Sequence, residues 1–315
     1  MRVLITGITG FAGSHLAGLA LSKKGVRVFG LKRHSSGLDR LQDIARRIEF
    51  YECDLTDASA VAAAFRKIKP DRVFHLAGQS YTDGSWGTPV KTLNANILGA
   101  LNVLEAVRTL SPRVRLLMVG SCEEYGKYPL KEMPLREQTP LKPLSPYGAS
   151  KAAAGLLAYQ YFRNFKIHVV RVRAFNHTGP RQKDLFVASN FARQISRIEA
   201  GLEAPVIRVG NLEAIRDFTD VRDVVRAYWL LLQMGKPGEV YNVCSGRGVK
   251  IRRLLDICLE KSKVKIRIQK DPKRLRPNEI PGWIGDPSKI KKETGWKPSI
   301  PLETTLSDLL NVWRK

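Results

Sequence analysis

This chain is short of acidic residues beside its basic ones. Against 53 Lys and Arg it sets 29 Asp and Glu, a formal net charge of +24 over 315 residues. Cysteine is rarer still. Cys53, Cys122, Cys244 and Cys258 are widely and irregularly separated, with no C-x-x-C pair and no histidine at zinc-ligand spacing. That pattern excludes a zinc module, implies no metal, and reads as reduced thiols in a cytoplasmic protein. No apolar run approaches the length of a membrane span. The mainly apolar amino terminus is interrupted by Gly7, Gly10, Gly13 and His15, which argues against a signal peptide. With 25 Gly and 17 Pro the chain is neither collagenous nor low in complexity, and 43% hydrophobic residues against 26% charged exclude disorder. The length fits one large domain or two closely packed ones. The basic excess favours anionic partners. It is spread along the chain, however, with only short clusters such as Lys289, Lys291 and Lys292 and no basic tail. It therefore reads as a solvated surface, and neither nucleic acid nor membrane is expected as a partner.

The chain does carry a regular rhythm. Short runs rich in β-branched residues at 2–6, 27–31, 48–51, 72–75, 113–119 and 168–172 read as strands. Between them Leu98, Leu101, Val103, Leu104 and Val107, and later Ala152, Leu156, Tyr159 and Phe162, recur at helical spacing. Gly25, Pro70, Pro112 and Pro146 mark boundaries. Strands apolar on both faces and alternating with helices predict an α/β fold, a doubly wound parallel sheet covered on two sides. After about residue 175 the loops lengthen and become rich in Pro and Arg. The expected division is a Rossmann domain over 1–174, rejoined by roughly 212–243 through a helix at 221–233 and a strand at 240–243. A smaller C-terminal substrate-binding region takes 175–211 and 244–315. No repeat or linker separates the two, so they are expected to meet across a ligand cleft.

The strongest local signal is Gly7-Ile8-Thr9-Gly10-Phe11-Ala12-Gly13, after the first strand and before a helix starting near Ser14. Glycines there let the backbone turn tightly and approach a pyrophosphate, and the helix N-terminus offers free N–H groups and a positive dipole. The second strand ends in Leu31-Lys32-Arg33-His34-Ser35-Ser36, with no carboxylate for the adenosine ribose hydroxyls. Lys32 and Arg33 suit a 2′-phosphate instead, so NADP(H) is the expected cofactor and NAD(H) the second choice. Asp54 and Leu55, after the third strand, are placed to meet the adenine, although Asp54 also fits an ordinary N-cap. Tyr147 and Lys151 share one helix face, so the ammonium lowers the cost of ionising the phenol. Ser121, at a strand end, can bond the same substrate oxygen and orient it for hydride transfer.

Together the glycine turn, Ser121 and the Tyr147/Lys151 pair resemble the extended short-chain dehydrogenase/reductase superfamily over nearly the whole chain. Within it, His75-Leu76-Ala77-Gly78-Gln79-Ser80, Glu123-Glu124-Tyr125-Gly126, Phe175-Asn176-His177-Thr178-Gly179-Pro180, residues 211–223 and Arg276-Pro277-Asn278-Glu279 are similar to the enzymes of GDP-mannose-derived deoxysugars. The resemblance implies a GDP-sugar substrate, and a homodimer through the helices near 98–107 and 152–162. It also implies that Thr9, Phe11, Ala12, Leu76, Ala77 and Gln79 join the three glycines at the cofactor, with Phe175 and His177 near the nicotinamide. On the substrate side it implies Ser85, Trp86, Asn176 and Asn190, with Arg216 and Arg276 on the diphosphate and Glu279 on ribose hydroxyls.

Two activities of that subgroup fit the resemblance. GDP-mannose 4,6-dehydratases oxidise C4, eliminate water across C5 and C6 and return the hydride to C6. GDP-6-deoxy-D-mannose reductases reduce the resulting C4 ketone with NADPH to give GDP-D-rhamnose. Glu123 matches the acid/base of the dehydratases, but the reductases keep a glutamate there too. Ser121 stands where the dehydratases carry Thr, Asn190 where they carry Lys and Gln182 where they carry Arg. With the brief loop from 33 to 43 and the phrase 209–223, these departures favour ketone reduction. Dehydration is the alternative, and 4-epimerisation stands behind it. A non-catalytic nucleotide sensor is disfavoured by the intact Ser121, Tyr147 and Lys151.

Overall fold

The computed structural model describes residues 1–110, 113–275 and 280–315. It begins with β1 (Arg2–Thr6), α1 (Phe11–Leu21), β2 (Arg27–Lys32), β3 (Ile48–Glu52), α2 (Ala58–Ile68) and β4 (Arg72–His75). Three helices in succession, α3 (Thr82–Gly87), α4 (Pro89–Leu93) and α5 (Gly99–Leu110), lead to β5 (Arg115–Ser121), α6 (Pro146–Phe165) and β6 (His168–Ala174). Then follow β7 (Asn176–Thr178), α7 (Val187–Glu199), β8 (Val206–Val209), β9 (Ile215–Asp220), α8 (Val221–Met234) and β10 (Val240–Val243). The chain closes with β11 (Gly248–Lys250), α9 (Ile251–Glu260), β12 (Arg267–Lys270), β13 (Gly282–Trp283), α10 (Ser288–Thr294) and α11 (Leu302–Trp313).

Seven strands pair in parallel in the order β10-β6-β5-β4-β1-β2-β3. Val3, Leu4 and Ile5 of β1 are fully buried because helices cover both faces, α1 and α8 on one and α2, α5 and α6 on the other. This is the doubly wound sheet that the apolar runs predict. Parallel pairing carries the strands past those runs toward one edge. Thus β2 and β3 reach Lys32 and Glu52, which are register partners, and β5 begins at Arg115 and continues to Ser121 opposite Ala174. Pro112 lies outside the described residues.

The return to the main sheet starts later than residue 212. β9 belongs to a small sheet with β11, β13 and β7, and its Phe218 packs into a separate core with α7, α9 and α11. Within 212–243 it is α8 and β10 that rejoin the main layers, with the Asp220 carboxylate accepting from Arg222 N at 2.7 Å at the start of α8.

Parallel βα units also point helix carboxyl ends at the opposite edge, where the dipoles leave partial negative charge. Arginines answer it there. Arg47 donates to Leu21 O at 3.0 Å, Arg2 to Lys67 O at 3.4 Å and Arg115 to Gln233 O at 2.7 Å, in the last turns of α1, α2 and α8. Among the described residues no helix is long and apolar enough to cross a membrane, and no group of three metal-ligating side chains occurs.

Buried Asp217 of β9 ties the small sheet to the main body. It accepts from Ser245 N at 2.7 Å, Ser245 Oγ at 2.6 Å, Gly246 N at 2.9 Å and Gly285 N at 3.3 Å. Asp217→Ala strands these donors and should cost about 3 kcal/mol in urea unfolding, with Asp217→Asn, which keeps one acceptor oxygen, losing less.

Candidate active site

The order reversal between β1 and β4 opens a crevice at the carboxyl ends of the strands. The cleft there measures ≈ 1450 Å³. That exceeds the roughly 300–1,000 Å³ of a pocket for one drug-sized ligand, so it has room for two. Gly7 adopts φ +70°, and a Cβ on it would lie 2.7 Å from Ala77 N; one on Gly13 would lie 2.2 Å from Gly7 O. Only glycine permits both contacts. Gly10 N donates to Gly7 O at 2.9 Å, and α1 starts without a side-chain cap or an acid in its first turn. Its free N–H groups face the cleft, which Thr9, Phe11 and Ala12 also line. The opposite wall holds Leu76, Ala77 and Gln79. Thr6 Oγ1 accepts from Ala77 N at 3.2 Å, and Asn96 Oδ1 accepts from Gln79 N at 2.8 Å. Asn96 Nδ2 also donates to Ser150 Oγ at 2.8 Å, and that hydroxyl donates to Tyr147 O at 2.7 Å.

Lys32, Arg33, Asp54 and Leu55 line the far end. The sequence shows no acid at the end of β2, but the adjacent strand supplies one. Lys32 Nζ donates to Glu52 Oε1 and His34 Nδ1 to Oε2, each at 2.9 Å. These two partners, His34 first, hold the Glu52 carboxyl below its ordinary value. Asp54 accepts from Thr56 N at 2.9 Å, and the cap of α2 is Asp57.

Ser145 begins α6, accepting from Gly148 N at 3.0 Å, and places Tyr147 and Lys151 one turn apart in the cleft wall. Ser121 hydrogen-bonds the Tyr147 phenol. Burial pushes that phenol well above its ordinary value, with Ser121 opposing, and pushes Lys151 down to about 8. The ammonium that helix spacing directs toward the phenol donates to Val119 O at 3.0 Å, the kind of acceptor a buried cation needs. Glu123 also lines the cleft. Its Oε1 accepts from Thr82 Oγ1 at 2.7 Å and its Oε2 from Ser145 Oγ at 3.0 Å.

Phe175, Asn176 and His177 line the cleft after β6. His177 Nδ1 donates to Phe175 O at 2.9 Å, leaving Nε2 as an acceptor, and its ring stacks on Phe11 with centroids 5.9 Å apart. Asn176 Oδ1 is buried with no hydrogen-bond partner, as an atom reserved for a ligand donor would be.

Other expected substrate residues lie away from the cleft lining. Ser85 is buried and serves the helix start, donating to Thr82 O at 2.6 Å and accepting from Tyr147 N at 3.3 Å. Trp86 is 57% exposed to solvent. Asn190 is engaged within the protein, donating to Asp184 O at 3.0 Å and accepting from Gln194 Nε2 at 2.7 Å and Arg274 Nη1 at 3.0 Å. Arg216 is buried with its guanidinium 4.8 Å over the Trp283 ring, and Trp283 is the member of the pair that lines the cleft. Arg276 and Glu279 lie outside the described residues.

Glu52, Thr82, Asn96 and Ser145 are absent from the site residues expected from sequence. Ser145 before Pro146 is a legible helix start. The other three act across separations of 20, 41 and 54 residues, which local spacing does not reveal.

A model of the family described as GDP-mannose 4,6 dehydratase matches residues 4–309. GDP-6-deoxy-D-mannose reductase of Pseudomonas aeruginosa is 35% identical over 312 residues, covering 99% of this chain and 97% of that one. GDP-mannose 4,6 dehydratase 2 of Arabidopsis thaliana is 36% identical over 316 residues, covering 95% of this chain and 83% of that one. The structure of RMD from Pseudomonas aeruginosa complexed with NADPH matches with a TM-score of 0.87 at 34% identity, covering 99% of this chain and 98% of that chain.

Burial should bring the Lys151 titration down from its ordinary 10.5 to about 8. Its ε-carbon resonance in ¹³C-lysine-labelled protein, assigned by its loss in Lys151→Met, should show that midpoint.

Proposed function

The chain belongs to the GDP-mannose 4,6-dehydratase family of extended short-chain dehydrogenase/reductases, and from that premise we propose that it is a reductase, converting GDP-4-keto-6-deoxy-D-mannose and NADPH to GDP-D-rhamnose. Glu123 carries the choice of reaction. Both its oxygens accept from hydroxyls, Thr82 Oγ1 and Ser145 Oγ, and Ser145 is itself fixed as the cap of α6. A carboxylate held in this way suits a structural tie, whereas dehydration needs it to exchange a proton at C5. The end-to-end match with the Pseudomonas reductase supports the same reading.

The tight glycine turn and the uncapped end of α1 fit a pyrophosphate, and Lys32 and Arg33 fit a 2′-phosphate. NAD(H), which needs no such cation, is the second cofactor to test. When bound, NADPH supplies the hydride. Tyr147 then donates a proton to the C4 oxygen. Burial keeps its phenol protonated at neutral pH, the form a donor needs and the opposite of the base with which C4 oxidation would begin. Ser121, bonded to that phenol, orients the carbonyl, and Lys151 supplies positive charge beneath it. Asn176 Oδ1 accepts from a sugar hydroxyl, and the Arg216 guanidinium, behind Trp283 of the cleft wall, suits the diphosphate. We assign the sugar-nucleotide part of the molecule to residues 175–211 and 244–315 together with β9, which joins their small sheet.

We place the enzyme in the cytoplasm on its four buried free cysteines. We also propose a homodimer, supported by the exposed apolar side chains Val90, Leu93 and Leu98 before α5 and Leu156 and Tyr159 on α6. In sedimentation equilibrium Leu156→Glu should shift the protein toward monomer.

Dehydration remains the second reading, favoured by the family model and the Arabidopsis relative. Mixing the enzyme with GDP-4-keto-6-deoxy-D-mannose and NADPH separates the two. Loss of nicotinamide absorbance with a product two hydrogens heavier is expected, whereas cofactor-neutral dehydration of GDP-mannose would overturn the proposal. Tyr147→Phe should lower kcat by about 100-fold or more with KM little changed.

A further inference from the structure

Behind Ser121 and Lys151 lies a carboxylate that the proposed chemistry does not use. Glu124 is 3% exposed. Its Oε1 accepts from Ser121 N at 2.8 Å and its Oε2 from Arg173 Nε at 2.9 Å. Arg173 also donates to Tyr125 OH at 3.1 Å and Glu137 O at 2.9 Å, so the guanidinium itself is fixed. The fit is close enough that a Cβ on Gly120 would meet Glu124 Oε1 at 2.1 Å.

Glu124, Lys151, Arg171 and Arg173 line a small cavity with room for one water, and Glu124 is the single acid among its lining residues. Two buried cations, Lys151 and Arg173, and half-buried Arg171 therefore face one anion in this cavity. Arg171 and Arg173 face it from β6, and Lys151 and Tyr147 from α6. Tyr125 and Glu123 flank it in the chain, and His75 of β4 faces Lys151. Burial pushes the Glu124 carboxyl up, and Arg173, the Ser121 amide and Lys151 pull it back.

We propose that Glu124 is a positioning residue for ketone reduction. It fixes Ser121 through its backbone amide and stabilises the charge of Lys151 across the cavity. The activity arm of this inference rests on the reductase reading; the titration arm does not.

Two substitutions separate the roles. Glu124→Gln keeps the shape and an acceptor for Ser121 N but removes the charge. The Lys151 ε-carbon midpoint should fall by about one unit, and the alkaline limb of kcat should move with it. Glu124→Asp keeps Arg173 paired but draws the carboxylate back from Ser121. It should lower kcat about tenfold with KM and NADPH Kd within about twofold, while the Lys151 midpoint stays near 8. A folded Glu124→Gln protein, with wild-type circular dichroism, whose midpoint and kcat profile do not move overturns the charge role. Wild-type kcat in Glu124→Asp overturns the positioning role, and decides alone should Glu124→Gln not fold. The midpoint needs no substrate, so wild-type enzyme that leaves NADPH unconsumed would sink the reductase reading without touching this test.

Discussion

The approach of the glycine turn after β1 to the end of β4 sets the rest of the site. Gly7 meets the Ala77 backbone and Gly13 meets Gly7 at distances that no side chain permits. That contact aims α1 at the cleft. It also seats the segment after β4, which passes its position on through Gln79, Asn96 and Ser150 to the carbonyl of Tyr147. The glycine turn and helix α6, far apart in sequence, are thereby joined by a short run of hydrogen bonds. A shift of the turn would be felt at the phenol.

Local features of this site are legible in the sequence, and lateral ones are not. The glycine turn and the Tyr147/Lys151 pair depend on spacing within one element, and Ser121 on a strand ending where its apolar run ends. The sheet itself follows from strands apolar on both faces. Glu52 beside Lys32 requires knowledge of which strands are neighbours, and the grip of Thr82 on Glu123 requires the packing of α3 beside α6. The same limit applies to Ser85 and Asn190. Residue type and motif suit them to a ligand, but helix phase turns their polar atoms toward Thr82, Tyr147, Asp184 and Gln194. The start of the return to the main sheet, expected near 212, shifts for a related reason, since sequence does not say which of two sheets the stretch before α8 joins.

Burial acts on Tyr147 and Lys151 in opposite senses. It makes the phenol harder to ionise and the ammonium easier to neutralise, although Lys151, lowered to about 8, keeps most of its charge at neutral pH. Glu124, held by Arg173 and the Ser121 amide, opposes that drift for Lys151.

The arginines at the far edge of the sheet bear on how the surface can be redesigned. Arg2, Arg47 and Arg115 donate to carbonyls in the last turns of three helices, so they answer a field that the βα architecture creates. An effort to lower the isoelectric point by replacing basic residues with neutral ones would therefore meet two populations. Side chains that end in solvent are free to change, whereas those three work as helix caps, and losing them would loosen the layer on which the cleft is built.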